Sequence, residues 1–128
     1  MASEQEMQRM ALEMQAYRQR AEEVQGQMRS LAAFVQESDS AVKAMESLAE
    51  GETLFPIGSG VFVKAKPASK TVIVEIGARV MAEKTVDEAK ALLQERKDGF
   101  IKALSKLQEE LEELNSAMVA LSEKARQK

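Results

Sequence analysis

The residue types that carry most enzyme chemistry are missing: the 128-residue chain has neither histidine nor cysteine. That removes the commonest general base, the commonest transition-metal ligand, the thiolate nucleophile and every disulfide. Carboxylates are plentiful, but Glu109, Glu110, Glu112 and Glu113 run together as the solvated flank of a helix. Gly58-Ser59-Gly60 lacks the following helix and the lysine of a phosphate-binding loop. No catalytic residue, metal ligand or cofactor is therefore expected. What remains is methionine. Six of the eight methionines lie at or before Met45. Unbranched thioethers repack around varied partners. On that ground Met7, Met10, Met14, Met118 and Leu121, with Met1 beside them, are expected to form an adaptable apolar clamp for other proteins. The plainer role for the same side chains, Met14 and Met118 above all, is coiled-coil core.

Two long segments must position them. From about Ser3 to Glu50 there is no proline, and apolar or small residues recur at Met7, Met10, Met14, Tyr17, Ala21, Val24, Met28, Leu31, Val35, Ser38, Val42 and Met45. The steps alternate three and four, which is a heptad seam with one polar member, Ser38. A second seam runs Val86, Lys90, Leu93, Lys97, Phe100, Leu104, Leu107, Leu111, Leu114, Met118, Leu121 and Ala125, with two lysines interrupting it. Those lysines are expected to snorkel to solvent. Thr85-Val86-Asp87-Glu88 has the T-x-x-E pattern of a capping box at the second helix start. Two such helices of nearly equal length, joined by a segment that turns the chain back, pair antiparallel. One register sets Met7 by Leu121, Met28 by Phe100, Leu31 by Lys97, Ser38 by Lys90 and Val42 by Val86. An arm of some forty residues would reach roughly 60 Å, with both termini at its tip.

Between the helices, about Thr53 to Lys84, the character changes. Both prolines fall here, and Val61-Phe62-Val63, Thr71–Ile76 and Val80-Met81-Ala82 are β-type runs, with Leu54–Ile57 as a fourth. Pro56 confines that fourth strand to an edge or an end. Gly58-Ser59-Gly60, Lys66–Lys70 and Gly77-Ala78 read as turns between successive antiparallel strands. A few short strands make no independent core, and their edges invite pairing. Leu54, Ile57, Val61, Phe62, Val63, Val72, Ile73, Val74, Ile76, Val80 and Met81 are therefore expected to join other subunits. The expected architecture is α+β: one domain over 1–128, with a coiled-coil helix in 1–50, a β-hairpin oligomerisation region in 51–84 and a second coiled-coil helix in 85–128.

Composition limits the partners. Net charge is −3, the isoelectric point is about 5.2, and no basic block stands out, which argues against nucleic acid. No apolar run approaches the roughly 20 residues that span a membrane, and no signal peptide opens the sequence, so a soluble cytoplasmic protein is expected. Aromatics are only 4%, so a compact core of large rings is not available and long zipped helices must bury the surface instead.

The order helix, hairpins, helix, together with Pro56–Ala65, Val72–Gly77 and Glu83–Ala89, resembles the archaeal prefoldin α-type family over nearly the whole chain. The likeness is most specific in the β-region. One departure is Arg79, after Gly77-Ala78, where the family often carries a second glycine. The resemblance implies an ATP-independent holdase chaperone. Two α-type and four β-type subunits would join their strands into a β-barrel body, with six arms whose tips hold non-native clients and pass them to a group II chaperonin. A different function compatible with the same arm is a structural tether that docks one folded partner. An enzyme subunit is the reading the residues favour least.

Overall fold

The computed structural model describes residues 3–48 and 51–127. The element order is α1 (Glu4–Leu48), β1 (Thr53–Gly58), β2 (Val61–Ala65), β3 (Thr71–Gly77), β4 (Val80–Thr85) and α2 (Val86–Gln127). Contacts divide the chain into two compact units, Met1–Phe34 with Phe100–Lys128, and Val35–Gly99.

Both helices begin at a side-chain cap. The Ser3 hydroxyl accepts from the Glu6 amide at 3.2 Å, satisfying a donor that a helix start leaves orphaned. At α2 the capping box is complete: the Glu88 amide donates to Thr85 Oγ1, and the Thr85 amide donates to Glu88 Oε1, each at 3.2 Å. The Thr85 amide first, then the Thr85 side chain and the Lys84 charge, hold the Glu88 carboxyl below its ordinary value.

The heptad seams become the buried stripes. Every seam residue of α1 from Met10 to Met45 is buried or half-buried, as is every seam residue of α2 from Val86 to Ala125. Val24 is fully covered. Each unit shows by its own contacts that the helices are antiparallel. In the first, Arg20 Nε and Nη2 fork onto Glu110 Oε1 and Oε2 at 2.6 and 3.0 Å, and Phe34 stacks on Phe100 at 5.4 Å. In the second, Lys97 Nζ reaches Asp39 at 2.7 Å and Lys90 Nζ reaches Glu46 at 3.6 Å.

The Phe34–Phe100, Asp39–Lys97 and Glu46–Lys90 contacts correct the expected register, whereas Arg20–Glu110 lies only two residues from it. Phe100 sits not by Met28 but on Phe34, six residues further along α1. Lys97 meets Asp39 rather than Leu31, and Lys90 meets Glu46 rather than Ser38, each eight residues further along. At 1.5 Å per residue such displacements amount to about 9–12 Å, too far for side-chain reach to absorb. The reason is physical. A heptad seam is periodic, so apolar matching changes little when one helix slides on the other, and the flanking charges and rings decide. The lysines likewise do not simply reach for water; each ends on a carboxylate.

The β-region forms two separate two-stranded antiparallel sheets, β1–β2 and β3–β4. The Lys66–Lys70 stretch links one hairpin to the next rather than turning between paired strands, since β2 does not pair with β3, and the two central hairpins of the expected architecture are what the chain forms. The two hairpins share a plan. Ile57-Gly58-Ser59-Gly60-Val61-Phe62 and Ile76-Gly77-Ala78-Arg79-Val80-Met81 align nineteen residues apart. In each, the pairing register shifts at the first glycine, Gly58 or Gly77, with φ of 135° or 130°. Two residues at positive φ follow: Ser59 and Gly60 at 50° and 78°, Ala78 and Arg79 at 48° and 64°. Positive φ at both central positions is the signature of a type I′ turn, whose twist suits a two-residue hairpin.

Candidate functional site

Two surfaces carry the chain's apolar chemistry outward. The first is the hairpin pair. Leu54, Phe55, Ile57, Val61, Phe62 and Val63 on the first hairpin are all exposed, as are Ile73, Ile76, Val80 and Met81 on the second. Val72 and Val74 are half-buried. The pleat explains the difference on β3: Val72 and Val74 point to one face, opposite Lys84 and Ala82, while Ile73 and Glu75 point to the other, opposite Glu83 and Met81. Arg96 Nη2 donates to the Glu75 carbonyl at 2.6 Å and ties β3 to α2. Phe55 was not singled out by sequence reasoning, yet it is 42% exposed and stands opposite Val63 on the hairpin. Its place in a β-type run next to Leu54 was the available signal.

Ten large apolar side chains on two thin hairpins exceed what a lone soluble surface normally leaves open, and such patches mark interaction sites. A single hairpin is at best marginally stable in water, because one face has nothing to pack against.

The second surface lies in the unit formed by the N-terminal part of α1 and the C-terminal part of α2. Here the expected clamp residues separate. Met10 and Leu121 are each only 9% exposed and belong to the seam. Met14 and Met118 are half-buried. Met7 is 45% exposed. Met1 lies outside the described residues. The structure adds two open apolar side chains that the seam pattern does not contain, Leu12 and Val119 at 67% and 58% exposure. Both stand off the heptad stripe, and that off-stripe position was the sequence signal for them. Phe34 and Ile101 are similarly open.

A shallow groove of about 790 Å³ runs alongside the seam in the same unit, lined by Gly26, Gln27, Ser30, Leu31, Ala103 and Leu107 among others. It exists because Gly26 and Ala103 present almost no side chain. Nearby, the Arg20 fork holds the Glu110 carboxyl below its ordinary value and raises the guanidinium's own. No group of three or more potential metal ligands occurs among the described residues. None of the described helices is long and apolar enough to cross a membrane.

Similarity to known proteins agrees with this geometry. The family model described as "Prefoldin subunit" matches residues 17–128. A prefoldin subunit alpha from Methanosarcina barkeri is 36% identical over 132 residues, covering 96% of this chain and 91% of that protein. A second, from Thermofilum pendens, is 34% identical over 125 residues, covering 93% and 94%. Among solved structures, the filamentous PFD of Methanocaldococcus jannaschii shares the fold, with a TM-score of 0.73 over 86% of this chain and 95% of that one, at 21% identity. Two long helices flanking a pair of hairpins define a coiled-coil subunit with the fold of that structure. The chain belongs to the prefoldin family, and the relatives that it matches across most of its length are alpha subunits.

Proposed function

We propose that this chain is the α-type component of a cytoplasmic hexamer of two α and four β prefoldin subunits, and that the hexamer holds non-native proteins without ATP. The observation that carries this reading is the set of ten exposed apolar side chains on two hairpins that, among the described residues, each pair only two strands. Strands from β-type partners would complete those sheets as a β-barrel body and remove the open edges. Clients would be held by Met7, Met10, Met14, Met118 and Leu121. Met7 is already open, and the others are within reach of a client when the last turns of the helices separate. Leu12 and Val119 extend the same apolar surface. Each contact of this kind is weak. Several arms acting on one client raise the avidity while every single contact stays reversible. Release to a group II chaperonin would follow from that reversibility.

The test has two readings. Native mass spectrometry of the chain mixed with a β-type subunit is expected to give the hexamer, and a monomer in the mixture would refute the assembly. Deleting residues 1–14 and 118–128 is expected to leave the oligomer intact and abolish suppression of client aggregation. Full suppression after the deletion would refute the clamp.

A further inference from the structure

The seam of this coiled coil repeats every seven residues, and an apolar repeat alone permits one helix to slide on the other by a heptad. Two lysines interrupt the repeat in the unit Val35–Gly99. Lys90 and Lys97 stand seven residues apart on α2, and their partners Glu46 and Asp39 stand seven apart on α1. The lysines are seam members and are half-buried, whereas both acids flank the seam and are exposed.

We infer that the pairs Lys90–Glu46 and Lys97–Asp39 act together as a two-point register lock that fixes which apolar residues the arm leaves uncovered. A one-heptad slide in either direction breaks both pairs and sets only one of the lysines level with one of these acids. If α1 shifts so that Lys90 meets Asp39, Lys97 comes level with residues 27–36. That stretch contains no carboxylate, and its one charge is Arg29. If α1 shifts the other way, Lys97 meets Glu46, and Lys90 is carried past Leu48, where α1 ends. Of the three alignments, only the observed one sets a carboxylate level with each lysine. A polar residue at a core position is a recognised way to specify register at the expense of stability, because a misaligned charge is left half-buried without a partner.

The register has a consequence at the candidate clamp. An alignment that set Met7 beside Leu121 would cover the methionine that is now open. Lys90 and Lys97 are thus positioning residues: they touch no client, and they set the helix alignment on which the exposure of Met7 depends. This last step rests on the proposed clamp; the lock itself does not.

The chain's lack of cysteine makes the test direct. Spin labels at Gln36→Cys and Ala91→Cys, both exposed positions, report the axial offset of the helices in the full-length chain, and a heptad slide moves it by about 10 Å. The parent is expected to give one narrow distance. Lys90→Leu/Lys97→Leu is expected to unfold at higher denaturant and to show a second distance. Asp39→Lys/Glu46→Lys, which sets like charges together, is also expected to lose the single distance. Combining that pair with Lys90→Glu/Lys97→Glu restores it. An unchanged single distance in either double variant, or failure of the fourfold swap to restore it, overturns the lock. Aggregation suppression is measured on the same variants. If the distance changes and suppression does not, the clamp assignment fails and the lock stands.

Discussion

At the scale of the residue, small side chains and capping groups leave the clearest signatures. Gly26 lies inside α1, and a Cβ built there meets only the Arg29 Nη2 atom, at 3.8 Å. The site has room, and glycine inside a helix is worth about 1 kcal/mol less than alanine. Gly26→Ala is therefore expected to stabilise the chain by about 1 kcal/mol, read as a higher urea midpoint with unchanged slope. Thr85 makes both bonds of its capping box, and Thr85→Ala is expected to lose about 1 kcal/mol in the same measurement. Acid removes part of the same stabilisation. Glu88 and Glu110 both titrate below the ordinary 4.5 in the folded chain. A depressed folded value stabilises the native state above the unfolded value, and that contribution is lost as pH falls through the folded value. The midpoint is expected to hold from neutrality to about pH 5 and to drop below about pH 4, and Thr85→Ala is expected to flatten the Glu88 part of the drop.

At the scale of the element, the hairpin turns are the informative parts. Both turns use two residues at positive φ, but the first has Gly60 at its second place and the other has Arg79. Non-glycine residues in the left-handed region carry a penalty of about 1 kcal/mol each, reduced for asparagine. Ala78→Asn/Arg79→Gly is expected to tighten the β3–β4 hairpin, seen as slower amide exchange at Val80 and Met81. Unchanged or faster exchange would mean that Ala78 and Arg79 carry no strain. The departure at Arg79 seen in the sequence thus leaves the turn type intact: the chain adopts the two-residue hairpin geometry with residues that fit it less well than glycine.

At the scale of the whole molecule, the exposed hairpin residues and the buried seam respond differently to the same kind of change. Phe62 and Ile73 stand open, so a polar substitution there removes little that the isolated chain buries, and surface changes of this type usually stay within about 0.5 kcal/mol. Phe62→Asp/Ile73→Asp is expected to leave the urea midpoint of the isolated chain within that range and to prevent assembly with β-type subunits in native mass spectrometry. Val24→Asp, by contrast, sets a charge at a fully covered seam position and is expected to unfold the helix pair before assembly can be measured. If Phe62→Asp/Ile73→Asp assembles normally, the hairpin faces are not the contact surface.

The sequence by itself determined the two helices, their capped starts, the members of both seams and the strands between them. Each is a local pattern: three-and-four spacing, a T-x-x-E start, β-branched runs broken by glycine and proline. It also determined that the usual histidine and cysteine chemistry is absent, since that is a matter of composition. Only the tertiary structure decided the helix register, because a heptad repeat matches itself after a slide and the choice falls to side chains from distant parts of the chain. Phe34 meeting Phe100, and Asp39 and Glu46 meeting two seam lysines, are such choices. The same holds for the candidate clamp. Spacing places Met7, Met10 and Leu121 on equal terms. Packing buries Met10 and Leu121, leaves Met7 open, and adds Leu12 and Val119, because exposure depends on what the neighbouring helix covers.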